Sequence, residues 1–248
     1  MKKPDGRIGM SLALLGASAL TYALHYIVFR DLHHIAIYLI GDIAFMFINV
    51  LAVTLVFEQI LARREKRVLL KKLNMVIGAF FSDCGLDLLR RFPAFVSNAA
   101  ELAPGLAFAP RWQKQDFEKA AQTARRFDYK IRVNPAGLRE LRDFLVQRKT
   151  FLLALLENPN LLEHDLFTDL LWAVFHVLEE LEIRGGDLEG LPDSDYAHLA
   201  NDVRRAYAQI AGEWIDYAQH LKESYPFLFS LAARINPFAP APSPIVQG

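Results

Sequence analysis

Hydrophobic and polar positions fall into three regimes along the chain. From Ile8 to Phe29 no residue is charged, and from Ile35 to Phe57 the only charge is Asp42. At about 1.5 Å per helical residue, each run can cross a hydrocarbon layer of about 30 Å. Between them lies "RDLHH", residues 30–34, a connector that forces a tight helical hairpin and leaves no room for a folded outer domain. No proline or glycine interrupts Ala44 to Asn74, so the second run is expected to continue as helix through "EQILARREKRVLLKKLNMV". There Leu69, Leu73, Val76 and Phe80 form an amphipathic stripe of about two heptads, shorter than a coiled coil normally sustains. The stripe suits a helix docking on its own domain or lying at a lipid surface, with packing against copies of itself as the alternative.

The third regime has helical periodicity to about Asn236. "NPAGLRELRDFLVQRKTFLLALLE" opens with Asn134 at an N-cap and Pro135 at the first helical position. The next helix presents Leu166, Leu170, Val174, Val177 and Leu181 on one face and stops at Gly185-Gly186. A longer one begins at a Pro-Asp-Ser cap and aligns Leu199, Val203, Ala206, Ile210, Trp214 and Leu221. The best strand candidate, "YKIRV" at 129–133, is short. "APAPSPIVQG" closes the chain as a Pro-rich tail expected to lack packed structure. No internal repeat is present. The pattern therefore predicts an all-α protein, a transmembrane helical hairpin followed by a cytoplasmic α-helical bundle. Its expected parts are the hairpin over 1–62 (spans about 8–29 and 35–57), an amphipathic linker helix over 63–85, the helical domain over 86–236 and the tail over 237–248.

Charge sets the orientation. Lys2, Lys3 and Arg7 precede the first span, and Arg63, Arg64, Lys66, Arg67, Lys71 and Lys72 follow the second. The connector offers only Arg30 and two histidines. The excess of basic residues on cytoplasmic flanks then puts both termini in the cytoplasm. "GASA" at 16–19 has the composition of a signal-peptide cleavage site, but the apolar run continues well past it, which favours a retained helix.

Composition narrows the classes. Hydrophobic residues make up 53% of the 248, and the excess is concentrated in the two runs. Lys plus Arg and Asp plus Glu both number 28, so no global charge points to nucleic acid. A single cysteine, Cys84, excludes an intrachain disulfide and a CxxC site. Phosphate-binding glycine motifs and the Gly-x-Ser-x-Gly elbow are absent. "GGDLEG" at 185–190 reads as a helix stop and turn, and "SDCG" at 82–85 as a small buried cysteine rather than a reactive thiol.

Asp42 carries the sharpest chemical question. A mid-helix aspartate costs roughly 2.5 to 3.5 kcal/mol to insert, so such residues usually face protein or water. Asn49 lies two turns away on the same face, and His25 and Tyr22 sit at a similar depth in the first span. Either His25, Tyr22 or a neighbouring hairpin satisfies Asp42 and ties two helices together, or Asp42 and Asn49 line an oligomeric cation pathway or proton route, or Asp42 sits protonated or solvated at the headgroup boundary with no special use. Glu58 is explained by interfacial pairing with Arg63 and Arg64, beside Lys66 and Arg67. In the helical domain, His176 and Glu180, His198 and Asp202, and His220 invite a metal hypothesis. The chain has no Glu-x-x-His and no His-Glu-x-x-His, its nearest match being Asp195-x-x-His198. The outer face of an amphipathic helix yields the same spacing, so no metal, cofactor or catalytic residue is assigned.

Two segments carry a resemblance: "REKRVLLKKLNMVIGAFFSDCG" at 64–85 and "EWIDYAQHLKESYPFLFSLAARINPF" at 213–238. They resemble a family of uncharacterised two-pass bacterial and archaeal membrane proteins. The resemblance implies a prokaryotic cytoplasmic membrane and a joint module of hairpin plus helical domain, and it supplies no catalytic residues. The expected function is non-enzymatic: a bilayer-embedded protein, self-associating, that presents a helical interaction module to the cytoplasm. The alternatives are an oligomeric cation channel or proton pathway lined by Asp42 and Asn49, and a metal-dependent membrane enzyme.

Overall fold

The structure is a computed structural model that describes residues 6–159, 161 and 164–246, with backbone alone at Arg7, Ile8, His34, Lys66 and Arg67. Lys2 and Lys3 of the basic flank lie outside the described residues, as do the side chains of Arg7, Lys66 and Arg67. Regular structure among the described residues is helical, apart from one isolated antiparallel bridge between Val96 and Ile131. Two compact units divide the chain, Met1–Lys66 and Arg67–Gly248.

Helix α1 (Gly6–Phe29) and the first part of α2 (Leu32–Phe80) make up the first unit. Both are long and apolar enough to cross a membrane by length and composition, and their most apolar stretches bury nothing. The turn between them is tighter than the five-residue connector expected: only Arg30 and Asp31 separate the helices. Arg30 adopts a left-handed φ of 50°, ending α1. Asp31 Oδ1 then accepts a hydrogen bond from the His33 amide at 2.9 Å, satisfying a free N–H at the start of α2.

The second unit starts earlier than the sequence pattern places it. Residues from Arg67 onward belong to it, and Leu73, Ile77 and Phe80 of α2 are buried in its core. The stretch expected as a separate linker over 63–85 is therefore mostly domain, because its apolar stripe finds a core to enter. Phe81–Gly85 then form one turn of π-helix, followed by α3 (Leu86–Arg91) and a 3₁₀ turn. The wider turn seats Phe81 against Trp214 (ring centroids 5.1 Å) and Tyr217 (5.6 Å), while Phe80 meets Phe167 (5.6 Å).

After α4 (Ala99–Leu106), α5 (Lys114–Arg126) starts with a capping box between Gln113 and Asp116. The 129–133 stretch forms no strand beyond its single bridge. It is held instead by Asn98, whose side chain bonds Asp128 O (3.0 Å) and the Lys130 amide (3.0 Å). Asn134 caps α6 (Pro135–Gln147) through the Gly137 amide, but the helix does not run to 157. It breaks at Arg148, and α7 (Lys149–Leu156) follows. The Arg148 guanidinium reaches back to Asp83 O (3.0 Å) and lies over the Phe144 ring (4.0 Å), which fixes the bend.

Three helices build the centre: α5, α8 (Asp165–Arg184) and α9 (Asp193–Ser224), with α10 (Pro226–Arg234) packed on α9. The long α9 buries all six apolar positions expected of it. On α8, Leu170, Val174, Val177 and Leu181 are buried, but Leu166 is 43% exposed. Leu166 sits in the first turn of the helix, where Phe167 takes the core position. Residues 237–246 are not all free of the domain, contrary to expectation. Phe238 is buried, and the buried Asn236 bridges Trp214 Nε1 (3.1 Å), Leu106 O (2.9 Å) and the Phe238 amide (3.2 Å).

Candidate functional site

The loop between α8 and α9 sets up the site. Gly185, with φ 74°, ends α8 in a conformation that a side chain would strain, and its amide bonds Glu182 O (3.1 Å). Gly190 (φ 73°) turns the chain again, and Leu188 is buried while its carbonyl accepts from the Tyr196 hydroxyl (2.7 Å). The chain thus folds back as an αα-hairpin. Contacts along the seam run in opposite sequence directions: Arg184 with Asp195, Glu180 with His198, His176 with Asp202.

Four of the five histidines and acids singled out in the sequence meet on this seam. Each helix contributes a pair spaced by four residues, so both members lie on one face. His176 Nε2 is 3.4 Å from Asp202 Oδ2 and 3.8 Å from Glu180 Oε1. His198 Nε2 is 3.2 Å from the same Asp202 oxygen and 3.5 Å from Glu180 Oε2. The fifth, His220, lies apart and packs its ring against Tyr225 at 5.9 Å.

Burial is unequal within the cluster. The Asp202 side chain is 2% exposed, whereas those of His176 and His198 are 40% and 48% exposed. Neither Asp202 oxygen accepts a hydrogen bond, although Arg205 Nη2 stands 3.5 Å from Oδ1. A buried carboxylate left so is costly unless a cation is placed against it. Arg184 flanks the other side, bonding Asp195 through Nε (2.9 Å) and Nη2 (2.7 Å) and also bonding Glu180. Its side-chain hydrogen bonds hold the Glu180 and Asp195 carboxyls below the usual carboxylate range, so both are ionised at neutral pH. Beside His176 a cleft of about 380 Å³ opens, lined by Asp169, Trp172 and Arg205.

The other acids of α9 serve a different cluster. Arg125 of α5 passes over Gly212, where an added Cβ would lie 2.6 Å from its Cγ. Its Nη2 then reaches Asp216 Oδ2 (2.6 Å) and Glu213 Oε2 (3.4 Å). Burial pushes the Glu213 carboxyl up to about 7, Asp216 adding to the rise and Arg125 opposing it. His164 Nε2 lies 3.9 Å from Glu213 Oε1, and burial lowers its tendency to protonate. The geometry of this cluster is that of an internal brace between helices.

In the first unit, the Tyr22 hydroxyl donates to Asp42 Oδ2 at 3.4 Å. Both line a cleft of about 470 Å³ with Ser18, Thr21, His25 and Tyr38. Asn49, Glu58, Arg63 and Arg64 are exposed along α2. Cys84 is fully buried, and burial pushes its thiol up to about 12, which removes it as a nucleophile.

These features define a class: an all-helical protein in which an apolar helical hairpin precedes a helical domain with its own core. Residues 2–61 match the family model described as MJ1433, N-terminal helical domain, and residues 69–234 match the one described as uncharacterized protein MJ1433, C-terminal helical domain. The chain is 39% identical over 229 residues to uncharacterized protein MJ1433 of Methanocaldococcus jannaschii, covering 92% of each chain. The chain belongs to the MJ1433 family. No solved structure matches it.

Proposed function

We propose that this is a two-pass membrane protein that presents a helical interaction module to the cytoplasm of a prokaryotic cell. One observation carries the proposal: the apolar surface of α1 and of α2 up to Phe57 is bare. Leu20 is 73% exposed, Ile40 71% and Phe57 67%, and the exposed apolar positions lie on all sides of both helices. A core helix of a water-soluble domain covers such side chains, whereas a spanning helix leaves them to lipid. The basic residues at 63–67 and 71–72, against a connector of Arg30 and histidines, support a hairpin whose two ends face the cytoplasm.

The Tyr22–Asp42 hydrogen bond favours the helix-tying role of Asp42 over a pore. The carboxylate then has its partner within one hairpin and needs no shared axis. Self-association through exposed faces of the hairpin belongs to the same proposal.

Fractionation of expressing cells tests the membrane assignment. The full chain is expected in the membrane pellet after alkaline carbonate washing and in solution only with detergent. Recovery in the detergent-free supernatant would overturn it. A cysteine introduced at Asp31 should react with an impermeant thiol reagent added outside intact cells. Mass measurement in nanodiscs decides self-association, and a monomer removes both that part and any oligomeric pore. Ion flux into liposomes that changes with Asp42→Asn while assembly is kept would establish the pore instead.

A further inference from the structure

We propose that His176, His198 and Asp202, with Glu180 as the fourth ligand, bind one divalent first-row transition ion of the zinc class. The inference stands on α8 and α9 alone and does not depend on a membrane location. Three features support it together.

The first is donor chemistry. Two imidazole Nε2 atoms and two carboxylates suit zinc and its neighbours, whereas calcium and magnesium take oxygen alone. The ligand atoms offered by His176, His198 and Asp202 all lie within 4.8 Å of one another.

The second is spacing. With metal–ligand bonds of about 2.0–2.1 Å, a tetrahedral site separates its ligand atoms by about 3.3–3.4 Å. The imidazole–carboxylate separations are 3.2, 3.4, 3.5 and 3.8 Å. The two separations to Asp202 Oδ2 already fit that geometry, and Glu180, whose two oxygens each stand near one imidazole, would turn one oxygen toward the ion to complete it.

The third is Asp202 itself. It is almost wholly buried, its Oδ2 faces both imidazoles, and neither of its oxygens accepts a hydrogen bond. Buried charges are paired or coordinate metals, and Arg205 stands 3.5 Å from the opposite oxygen, leaving Oδ2 to face the ion. Arg184 plays the outer part, holding the Glu180 carboxylate in place as hydrogen-bond partners of ligands do. The half-exposed imidazoles and the adjoining cleft give an ion access from solvent.

The test uses the full-length, tag-free chain in detergent, stripped with chelator and titrated with Zn²⁺ alone in competition with a chromophoric chelator. One ion per chain is expected, and Co²⁺ in its place should give the intense visible bands of a tetrahedral site. His176→Ala, His198→Ala and Asp202→Asn should each weaken Zn²⁺ binding by about 100-fold or more, beyond the 10- to 100-fold that loss of an outer partner costs. His220→Ala removes a histidine away from the cluster and should leave affinity unchanged. If Asp202→Asn does not fold, the double variant His176→Ala/His198→Ala carries the test, since both side chains lie near the surface. Absence of stoichiometric Zn²⁺ uptake by the parent chain overturns the site and leaves an ion-pair network. Parent-like binding by the double variant, or equal loss in His220→Ala, overturns it as well.

Discussion

At the scale of single residues, charge pairs on α9 have separate duties that spacing alone does not distinguish. His198 and Asp202 face α8, while Glu213 and Asp216 face Arg125 on α5. Glu213 yields a pH prediction. Its folded value, about 7, lies above its ordinary 4.5, so its contribution to stability is whole below about pH 4.5 and is lost as pH rises through 7. Glu213→Gln removes that dependence. The stability of the parent relative to the variant should fall by on the order of 3 kcal/mol between pH 4 and pH 8. His220, lowered by burial, acts in the opposite direction in the two proteins alike, so chemical unfolding of the pair across pH isolates Glu213 together with His164, which lies 3.9 Å from it. A pH-independent difference would reject it. Residue-level legibility was uneven for a physical reason. A four-residue spacing places His176 with Glu180 and His198 with Asp202, but which face meets which depends on how the helices pack.

Among the elements, breaks were harder to read than runs. Asn134 with Pro135, and the double glycine after α8, mark their helix ends because their chemistry is local. Arg148 has no such signature. The helix breaks there, where the Arg148 guanidinium lies over Phe144 one turn earlier and bonds Asp83, a residue that the chain brings in from elsewhere. The π turn at Phe81–Gly85 is similar, since it exists to seat Phe80 and Phe81 in an aromatic core. Gly85 makes that turn testable. A Cβ there would lie 2.6 Å from ring carbons of both Phe80 and Phe81, which are buried and cannot swing away. Gly85→Ala should therefore destabilise the domain by about 1–3 kcal/mol in denaturant unfolding. A neutral or stabilising effect would mean that the turn can relax to an ordinary α-helix.

On the scale of the whole molecule, the second unit starts at Arg67, inside α2, and its buried core at Leu73, rather than after the expected linker. A fragment of residues 67–248 should accordingly fold alone, with helical circular dichroism and a single cooperative transition. Loss of cooperativity in this fragment, regained in the full chain, would show that the domain needs its hairpin. Local patterning by itself determined the helical class, the two apolar runs, the buried face of α9 and the polar pairs at four-residue spacing. These follow from backbone periodicity and solvation, which each segment expresses without its neighbours. Tertiary structure alone decided that the stripe after Arg67 is core, that Asn236 draws Phe238 into it, and that α8 and α9 join two ordinary polar faces around a buried Asp202. Those outcomes depend on contacts between segments far apart in the chain or folded back across a turn. Only packing sets their register, and periodicity within one helix does not encode it.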